Sequence, residues 1–183
     1  MVSGKGIETP ANKIATAQAV LGLAFRLRVL ANGNSLTREI FLSDVPIHTG
    51  GQGLLLPAYP EGTDEDLISG LENILLIALS ASALTVDEVL DEKYGLISKE
   101  IDMNRRGIRI MVNQLRNAFA HNPWRPKWLV FKQYRGLFPI QLSDGTRFEF
   151  DSRNLDGQMI KPEDVGGLEF WVALLQHCEK EVA

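Results

Sequence analysis

The sequence predicts a mainly α-helical protein that carries a small antiparallel β-hairpin near its C-terminus. Apolar residues recur at three, four and seven positions through much of residues 9–122, which is the period of a helix with one buried face. Further on, alternating apolar and polar residues flank Ser143-Asp144-Gly145, a pattern typical of a tight hairpin. The chain has 183 residues, a length that suits one domain.

We therefore expect residues 1–183 to form a single domain with three parts. Residues 9–122 form a helical bundle that is interrupted by an irregular loop at 43–63, where Gly and Pro are dense. Residues 123–160 form a β-hairpin subdomain, including a strand from Leu129 to Tyr134. A final helix within 161–183 begins at Pro162, which suits a first helical position, and packs back on the bundle.

Three helices are expected before residue 95, one before the loop and two after it. Thr9-Pro10 opens the first, with Thr as the cap and Pro in the first turn, and Asn32-Gly33 ends it. Thr63-Asp64-Glu65-Asp66 resembles a capping box and opens the most apolar helix of the chain. We expect that helix to be buried nearly all round, either at the centre of the bundle or in a subunit interface. Thr85-Val86-Asp87-Glu88 then starts a separate short helix that ends before Gly95.

The next helix begins after Ser98, a good N-cap, and stops near His121, because Pro123 disfavours helical geometry at Asn122. Its apolar face contains Ile101, Ile108, Met111, Val112, Leu115 and Phe119. Its polar face contains Arg105, Arg109, Asn113, Arg116 and Asn117, the one concentrated basic strip of the chain. If Glu72 of the preceding helix is buried, it needs a partner, and Arg109 and Arg116 are the natural candidates.

The end of this helix, Arg116-Asn117-Ala118-Phe119-Ala120-His121, resembles the HEPN motif: an Arg, a polar residue, three further residues and a His. The resemblance implies a small helical bundle, often dimeric, in which two copies of the motif face one cleft. Many such proteins are metal-independent ribonucleases of toxin, defence or RNA-processing systems, and others are non-catalytic binding or assembly modules. It implies that His121 is the general acid or base, that Arg116 stabilises the phosphate transition state and that Asn117 orients the site.

These residue types fit RNA cleavage by attack of the 2′-OH on the adjacent phosphorus. Histidine can move a proton near neutral pH, and arginine can donate two hydrogen bonds to phosphoryl oxygens, so no metal or cofactor is required. Arg105, Arg109 and Asn113 are candidate RNA contacts on the same helix, and Trp124 is a candidate for stacking on a base. The alternative is structural: His121 bonds the carbonyls of its helix end, the arginines form salt bridges, and the tryptophans cover a core.

Composition limits the partners. The net charge is −4 and the pI about 5.4, so any RNA contact must be local, and we expect no DNA binding.

The single cysteine, Cys178, excludes an internal disulfide and cysteine-rich zinc sites, and we expect it to be a buried apolar residue beside an exposed His177. The three histidines lack metal-ligand spacing. No N-terminal signal pattern is present and polar residues interrupt the apolar runs, so we expect a cytoplasmic protein without a membrane partner. The resemblance to the HEPN motif implies a homodimer.

Overall fold

A computed structural model describes residues 9–49 and 52–183, and over these residues the chain is mainly helical with a hairpin near its C-terminus, as predicted. The described helices and strands are α1 Pro10–Asn32, β1 Val45–Thr49, β2 Gln52–Leu56, α2 Asp64–Tyr94, α3 Met103–His121, β3 Leu137–Gln141, β4 Arg147–Asp151 and α4 Gly167–Val182. The strands form two antiparallel pairs, β1 with β2 and β3 with β4. The chain divides into two compact units: Gly22–Leu75, and Leu76–Ala183 with the beginning of α1.

The larger unit holds the buried centre of α3. Ten of the thirteen residues from Gly107 to Phe119 in α3 are buried. The apolar face predicted for this helix is therefore confirmed over that range. Helix α4 contributes Trp171, whose indole Nε1 donates to Ser82 Oγ of α2 at 3.0 Å, which satisfies both buried polar groups. Other core residues of this unit include Ile14, Val86, Val89, Ile110, Met111, Leu115, Phe150, Leu174 and Leu175.

The smaller unit replaces the predicted irregular loop with a hairpin. Strands β1 and β2 pair from Val45 opposite Leu56 to Thr49 opposite Gln52, so the prediction of an irregular segment at 43–63 is wrong. Proline is tolerated at Pro46 because a two-stranded sheet consists only of edges. The core of this unit is small: Ala31, Leu67 and Leu71 are buried, with Leu27, Leu36 and Phe41 packed around them.

Helix α2 differs from its prediction in three ways. It runs unbroken for 31 residues through Thr85, because a Thr-x-x-Glu signature without Gly or Pro does not end a helix. It is not buried all round, since Ile74, Ile77 and Leu84 are each nearly half exposed. Glu72 is exposed and bonds Arg28 at 3.0 Å, so the predicted pairing of Glu72 with Arg109 or Arg116 is wrong.

Helices α1 and α2 are each long and apolar enough to cross a membrane by length and composition alone. Core helices of soluble proteins meet the same criteria, so the location of the protein stays a prediction. The expectation that polar residues shorten these apolar runs below membrane-spanning length does not hold for the two helices.

Helix α3 starts later than predicted and ends where predicted. Asp102 is its N-cap, and the Asp102 carboxylate accepts from the Arg105 backbone N–H at 2.9 Å. Ser98 instead lies in a 3₁₀ turn at Ile97–Lys99, and Ile101 is 90% exposed and outside the helix. At the other end, the Asn122 backbone N–H donates to the Ala118 carbonyl and Pro123 follows, so His121 is the last helical residue.

The C-terminal hairpin pairs β3 with β4 around Ser143-Asp144-Gly145, as the sequence predicted. Leu129–Tyr134 is not a strand: the connector forms an isolated bridge between Lys127 and Met159, followed by a 3₁₀ turn at Lys132–Tyr134. Pro162 begins a 3₁₀ turn, and α4 starts only after Gly166 adopts a left-handed conformation. His177 is buried, contrary to its prediction. Its Nδ1 accepts from the Ser143 backbone N–H of the hairpin turn at 3.1 Å, so the turn lies against this side chain.

Helix α3 approaches β3 closely at Gly107. A Cβ atom there would lie 3.1 Å from the Pro139 carbonyl oxygen and 3.3 Å from atoms of Phe138 and Ile140. One turn earlier, the Asn104 side-chain amide donates to the Gln141 carbonyl at 2.9 Å and accepts from the Gln141 backbone N–H at 2.6 Å. The helix thus covers the outer edge of the hairpin, which would otherwise present unpaired backbone groups.

Gly107→Val should destabilise the protein by about 1–3 kcal/mol, because a branched side chain overpacks the contact with β3. Urea denaturation measures the change, and Gly70→Ala is the matched control. Gly70 is also a helical glycine, but a Cβ atom there would meet no heavy atom within 4 Å, so alanine should gain up to about 1 kcal/mol. A Gly107→Val protein as stable as the parent would contradict this close packing.

Candidate functional site

Four side chains from α2 and α3 form a ring of polar contacts around the motif, and Gln114 Nε2 of α3 also donates to Asn113 Oδ1 at 3.3 Å. Arg116 Nη1 donates to Asn117 Oδ1 at 2.9 Å, and Asn117 Nδ2 donates to Asn113 Oδ1 at 3.1 Å. Asn113 Nδ2 donates to both carboxylate oxygens of Asp87 at 3.2 Å. The network closes through Arg116 Nε, which lies 3.7 Å from Asp87 Oδ2. Each amide is thereby fixed in one orientation, and Arg116 is held by an anion on one side and an amide oxygen on the other.

Asp87 is a member of this network that the sequence patterns did not predict. It is buried, and burial raises the pKa of its carboxyl group, as does the nearby Asp91 charge, against the hydrogen bond from Asn113 and the attraction of Arg116 and Arg109. Local patterns predicted a helix cap around Asp87 and an acidic partner at Glu72. The available signal was spacing: Asp87 lies four residues after Ala83 and three before Leu90, both buried, so a continuous helix places this carboxylate in the core stripe.

Arg116 and His121 are both accessible. The Arg116 side chain is 41% exposed, and His121 is exposed at the last residue of α3. In the part of the chain that the structure describes, the His121 side chain forms no hydrogen bond and no ion pair, so it does not bond the carbonyls of its helix end. On a helical projection His121 points about 40° from Asn117 and about 140° from Arg116, so Asn117 lies between them.

Arg105 and Arg109 are engaged in ion pairs with other parts of the chain, which argues against their predicted role in substrate binding. Arg109 is 1% exposed, and its guanidinium donates to Asp91 Oδ1 at 2.7 Å, to Glu100 Oε2 at 3.4 Å and to the Gly95 carbonyl. Arg105 binds the Glu100 carboxylate through two nitrogens, at 2.7 and 3.0 Å, and lies 4.2 Å from the centre of the Tyr94 ring.

This second cluster is structural. Hydrogen bonds from Arg105 lower the pKa of Glu100 to about 2, and Arg109 also contributes, so Glu100 is ionised wherever the protein is folded near neutral pH. The cluster ties the first half of α3 to the end of α2. The three ion-paired arginines of α3 therefore differ: Arg105 and Arg109 stabilise the fold through this cluster, and Arg116 stays accessible.

The motif has an acidic recess on its α2 side and the connector between α3 and β3 on its other side. On the α2 side, a recess of about 290 Å³ adjoins Arg116 and is lined by Leu84, Asp87, Glu88, Asp91 and Glu92. On the other side, the connector between α3 and β3 folds back along the helix, because Gln114 Oε1 accepts from the Phe131 backbone N–H at 3.3 Å. Gln114 and His121 are seven residues apart, so they share a stripe of α3 and His121 faces the connector side.

The connector carries one exposed tryptophan and one buried tryptophan. Trp124 is 56% exposed, three residues after His121, which keeps open its predicted role in substrate binding. Trp128 is buried and its Nε1 donates to Asp164 Oδ2 at 2.8 Å, which matches the alternative that tryptophans cover the core. The two readings of the sequence therefore apply to different tryptophans.

Within residues 9–49 and 52–183, no group of three or more His, Cys, Asp or Glu side chains is placed to hold a metal ion. Burial raises the pKa of the Cys178 thiol to about 12, so this thiol stays protonated and is a poor nucleophile. The candidate site consists of the predicted residues Arg116, Asn117, Asn113, His121 and Trp124, to which the structure adds Asp87. Comparison with protein-family models, with curated proteins and with solved structures finds no match for this chain.

Proposed function

We propose that this protein cleaves RNA without a metal ion, as the resemblance of Arg116–His121 to the HEPN motif implies, and that it acts in a defence or stress system. One observation supports the proposal most directly. Arg116 and His121 are accessible at the end of α3, whereas Asn117 and Asn113 are fixed by Asp87. A merely structural histidine at a helix end would be bonded within the chain, whereas the His121 side chain forms no bond with the described residues. Arg116 is bonded to Asn117 and Asp87, but 41% of its side chain stays exposed.

In the proposed reaction, His121 accepts the proton of the ribose 2′-OH as its oxygen attacks the adjacent phosphorus. The bond from phosphorus to the 5′ oxygen of the next nucleotide breaks, which leaves a 2′,3′-cyclic phosphate. Arg116 lies about 140° around α3 from His121 of the same copy, so Arg116 of the second copy donates to the phosphoryl oxygens, where negative charge accumulates in the transition state. His121 of a second copy supplies the proton for the leaving 5′ oxygen, so a cleft shared by two motifs provides both the base and the acid.

An exposed apolar stripe on α2 supports a homodimer. Ile77 and Leu84 are each nearly half exposed, and Ala81 between them is exposed, at the spacing of one helix face. Leu84 also lines the recess beside Arg116. A second copy that covers this stripe would therefore lie next to the motif, as a shared cleft requires, and would remove apolar surface from water.

Leu84→Glu should convert the homodimer to a monomer and abolish cleavage, because it places a charge in the apolar stripe. Sedimentation velocity measures the mass and an RNA cleavage assay measures activity. Leu96→Ala is the matched control, since Leu96 is an exposed leucine outside α2, and it should leave both properties unchanged. A parent protein that sediments as a monomer and still cleaves RNA would contradict the shared cleft.

The proposed function itself is tested by incubating the purified protein with a mixed RNA pool in excess chelator. Fragmentation of the RNA is the expected result. RNA that stays intact at high protein concentration would contradict the proposal, provided that the protein is folded by circular dichroism.

The acidic recess favours one alternative function, a non-catalytic binding or assembly module. Asp87, Glu88, Asp91 and Glu92 surround Arg116 on the α2 side, and such a surface repels phosphate and attracts a basic partner. On this alternative, Asp87 orders Arg116 for a protein contact. The chelator experiment separates the two functions, since the module leaves RNA intact.

A further inference from the structure

The connector from Asn122 to Phe131 combines exposed aromatic rings with unpaired cations. Trp124 is 56% exposed and Phe131 44% exposed, and the exposed Arg125 and Lys127 lie between them in the chain. Among residues 9–49 and 52–183, neither of these cations forms an ion pair, nor does the exposed Lys132 that follows. Single-stranded nucleic acids are bound by this combination, because bases stack on the rings and phosphates contact the cations.

The cations belong to the most basic segment of the chain. Residues 103–135 contain eight Lys or Arg residues and no Asp or Glu. Four of these cations form ion pairs: Arg105 with Glu100, Arg109 with Asp91, Arg116 with Asp87, and Arg135 with Asp156. Of the other four, Arg106 is half-buried near the start of α3, and the three exposed cations without an ion pair among the described residues are Arg125 and Lys127 in the connector and Lys132 directly after it.

The connector is held in one conformation. The Asn122 side-chain oxygen accepts from the Trp124 and Arg125 backbone N–H groups at 3.2 and 3.0 Å, which forms an Asx turn directly after His121. Further along, the Trp128 backbone N–H donates to the Gln158 carbonyl at 2.9 Å. Since three residues span at most about 11 Å, the Trp124 backbone is fixed close to the proposed catalytic histidine.

Charge determines the path of a polyanion across this site. The recess on the α2 side is acidic and repels phosphates, whereas the connector attracts them. His121 faces the connector side, since it shares a stripe of α3 with Gln114, which binds the Phe131 backbone. A strand that reaches His121 must therefore leave along the connector and not across α2.

We infer that Trp124 stacks on an unpaired base near the cleaved phosphate, and that Arg125, Lys127 and Lys132 bind the phosphates of the same strand. Trp124 is then a specificity-determining residue, because a base inside a duplex cannot present its face to the ring. The inference rests on the proposed function, since it takes His121 as the cleaving residue.

The test uses His121→Ala protein, to prevent cleavage, and a labelled single-stranded RNA of about 12 nucleotides and mixed sequence, within the usual range of single-strand site sizes. Trp128 and Trp171 are 1% and 0% exposed, so quenching of tryptophan fluorescence by RNA reports Trp124. We expect quenching in the His121→Ala protein and none after Trp124→Phe, which retains a stacking ring and should bind within about threefold. Trp124→Ala should weaken binding about tenfold, and duplex RNA of the same sequence should quench weakly.

The cations are tested through salt dependence. Arg125→Gln with Lys127→Gln should reduce the slope of log Kd against log salt concentration by about 1.4, or about 0.7 for each lost phosphate contact. Lys180→Gln, an exposed lysine on α4, is the matched control and should leave the slope unchanged.

Two results would overturn the inference. In the first, the His121→Ala protein that also carries Trp124→Ala binds single-stranded RNA as tightly as His121→Ala alone. In the second, duplex and single-stranded RNA quench the tryptophan fluorescence equally. Failure of the proposed function gives a different pattern. A parent protein that binds single strands through Trp124 but never cleaves them retains the stacking site and loses the catalytic role of His121.

Discussion

His121→Ala should slow RNA cleavage by about 10²–10⁴-fold, the usual contribution of a general acid or base. Arg116→Ala should slow cleavage by about 10²–10³-fold, because it removes donors from the phosphoryl oxygens. Arg116→Lys should recover only part of this loss, since an ammonium group cannot replace the two-pronged guanidinium donor. Single-turnover rates on one labelled single-stranded RNA in excess chelator measure all three effects.

These variants separate catalysis from folding. His121 is exposed and forms no bond with the described residues, so His121→Ala should keep the melting temperature of the parent within about 2 °C. Arg153→Ala is the control for Arg116, because Arg153 is an exposed arginine bonded to a neighbouring carboxylate, Asp151, on the hairpin. It should leave the rate unchanged. Equal losses in Arg153→Ala and Arg116→Ala would show that the rate responds to general charge and not to the motif.

Arg109→Met should destabilise the protein by about 3–5 kcal/mol, the largest stability effect that we expect. The substitution leaves the Glu100 carboxylate, whose side chain is 4% exposed, without one of its two cations, and it also leaves the Gly95 carbonyl without its donor. Urea denaturation at neutral pH measures the loss. Arg153→Ala, which breaks an exposed pair, should cost about 1 kcal/mol or less.

The same cluster predicts how stability depends on pH. The folded-state pKa of Glu100 is about 2, below its ordinary value of 4.5, so folding favours the ionised form. Its contribution is present above about pH 4.5 and is lost as the pH falls towards 2. Glu100→Gln should lower stability at neutral pH and flatten the loss across this acid range.

An Arg109→Met protein as stable as the parent would show that Asp91 and Glu100 need no buried cation.

The sequence allowed the motif to be located but not its partner. His121 was predicted to end its helix because Pro123 excludes helical geometry just before it, a local steric effect that the structure bears out. Asp87 could not be recognised from local signals, because a Thr-x-x-Glu pattern looks the same at a cap and inside a long helix. Whether α2 continues through Thr85 depends on tertiary packing of the residues on either side.

Burial of the arginines was equally hidden from sequence. Arg105, Arg109 and Arg116 occupy one polar face by spacing, yet their side chains are 28%, 1% and 41% exposed. The difference arises from Glu100 and Asp91, which fold back from the segment before α3 and from the end of α2, so it is a long-range property. The irregular loop was mispredicted for a related reason: Gly and Pro mark turns, but pairing of β1 with β2 was not visible in composition.

The ends of the RNA fragments test the central claim most directly. Parent protein and His121→Ala, purified identically, are incubated with one single-stranded RNA in excess chelator, and mass spectrometry identifies the 3′ ends. We expect 2′,3′-cyclic phosphates from the parent and intact RNA from His121→Ala. Intact RNA with both proteins, or the same fragments with both, would contradict metal-independent cleavage by Arg116 and His121.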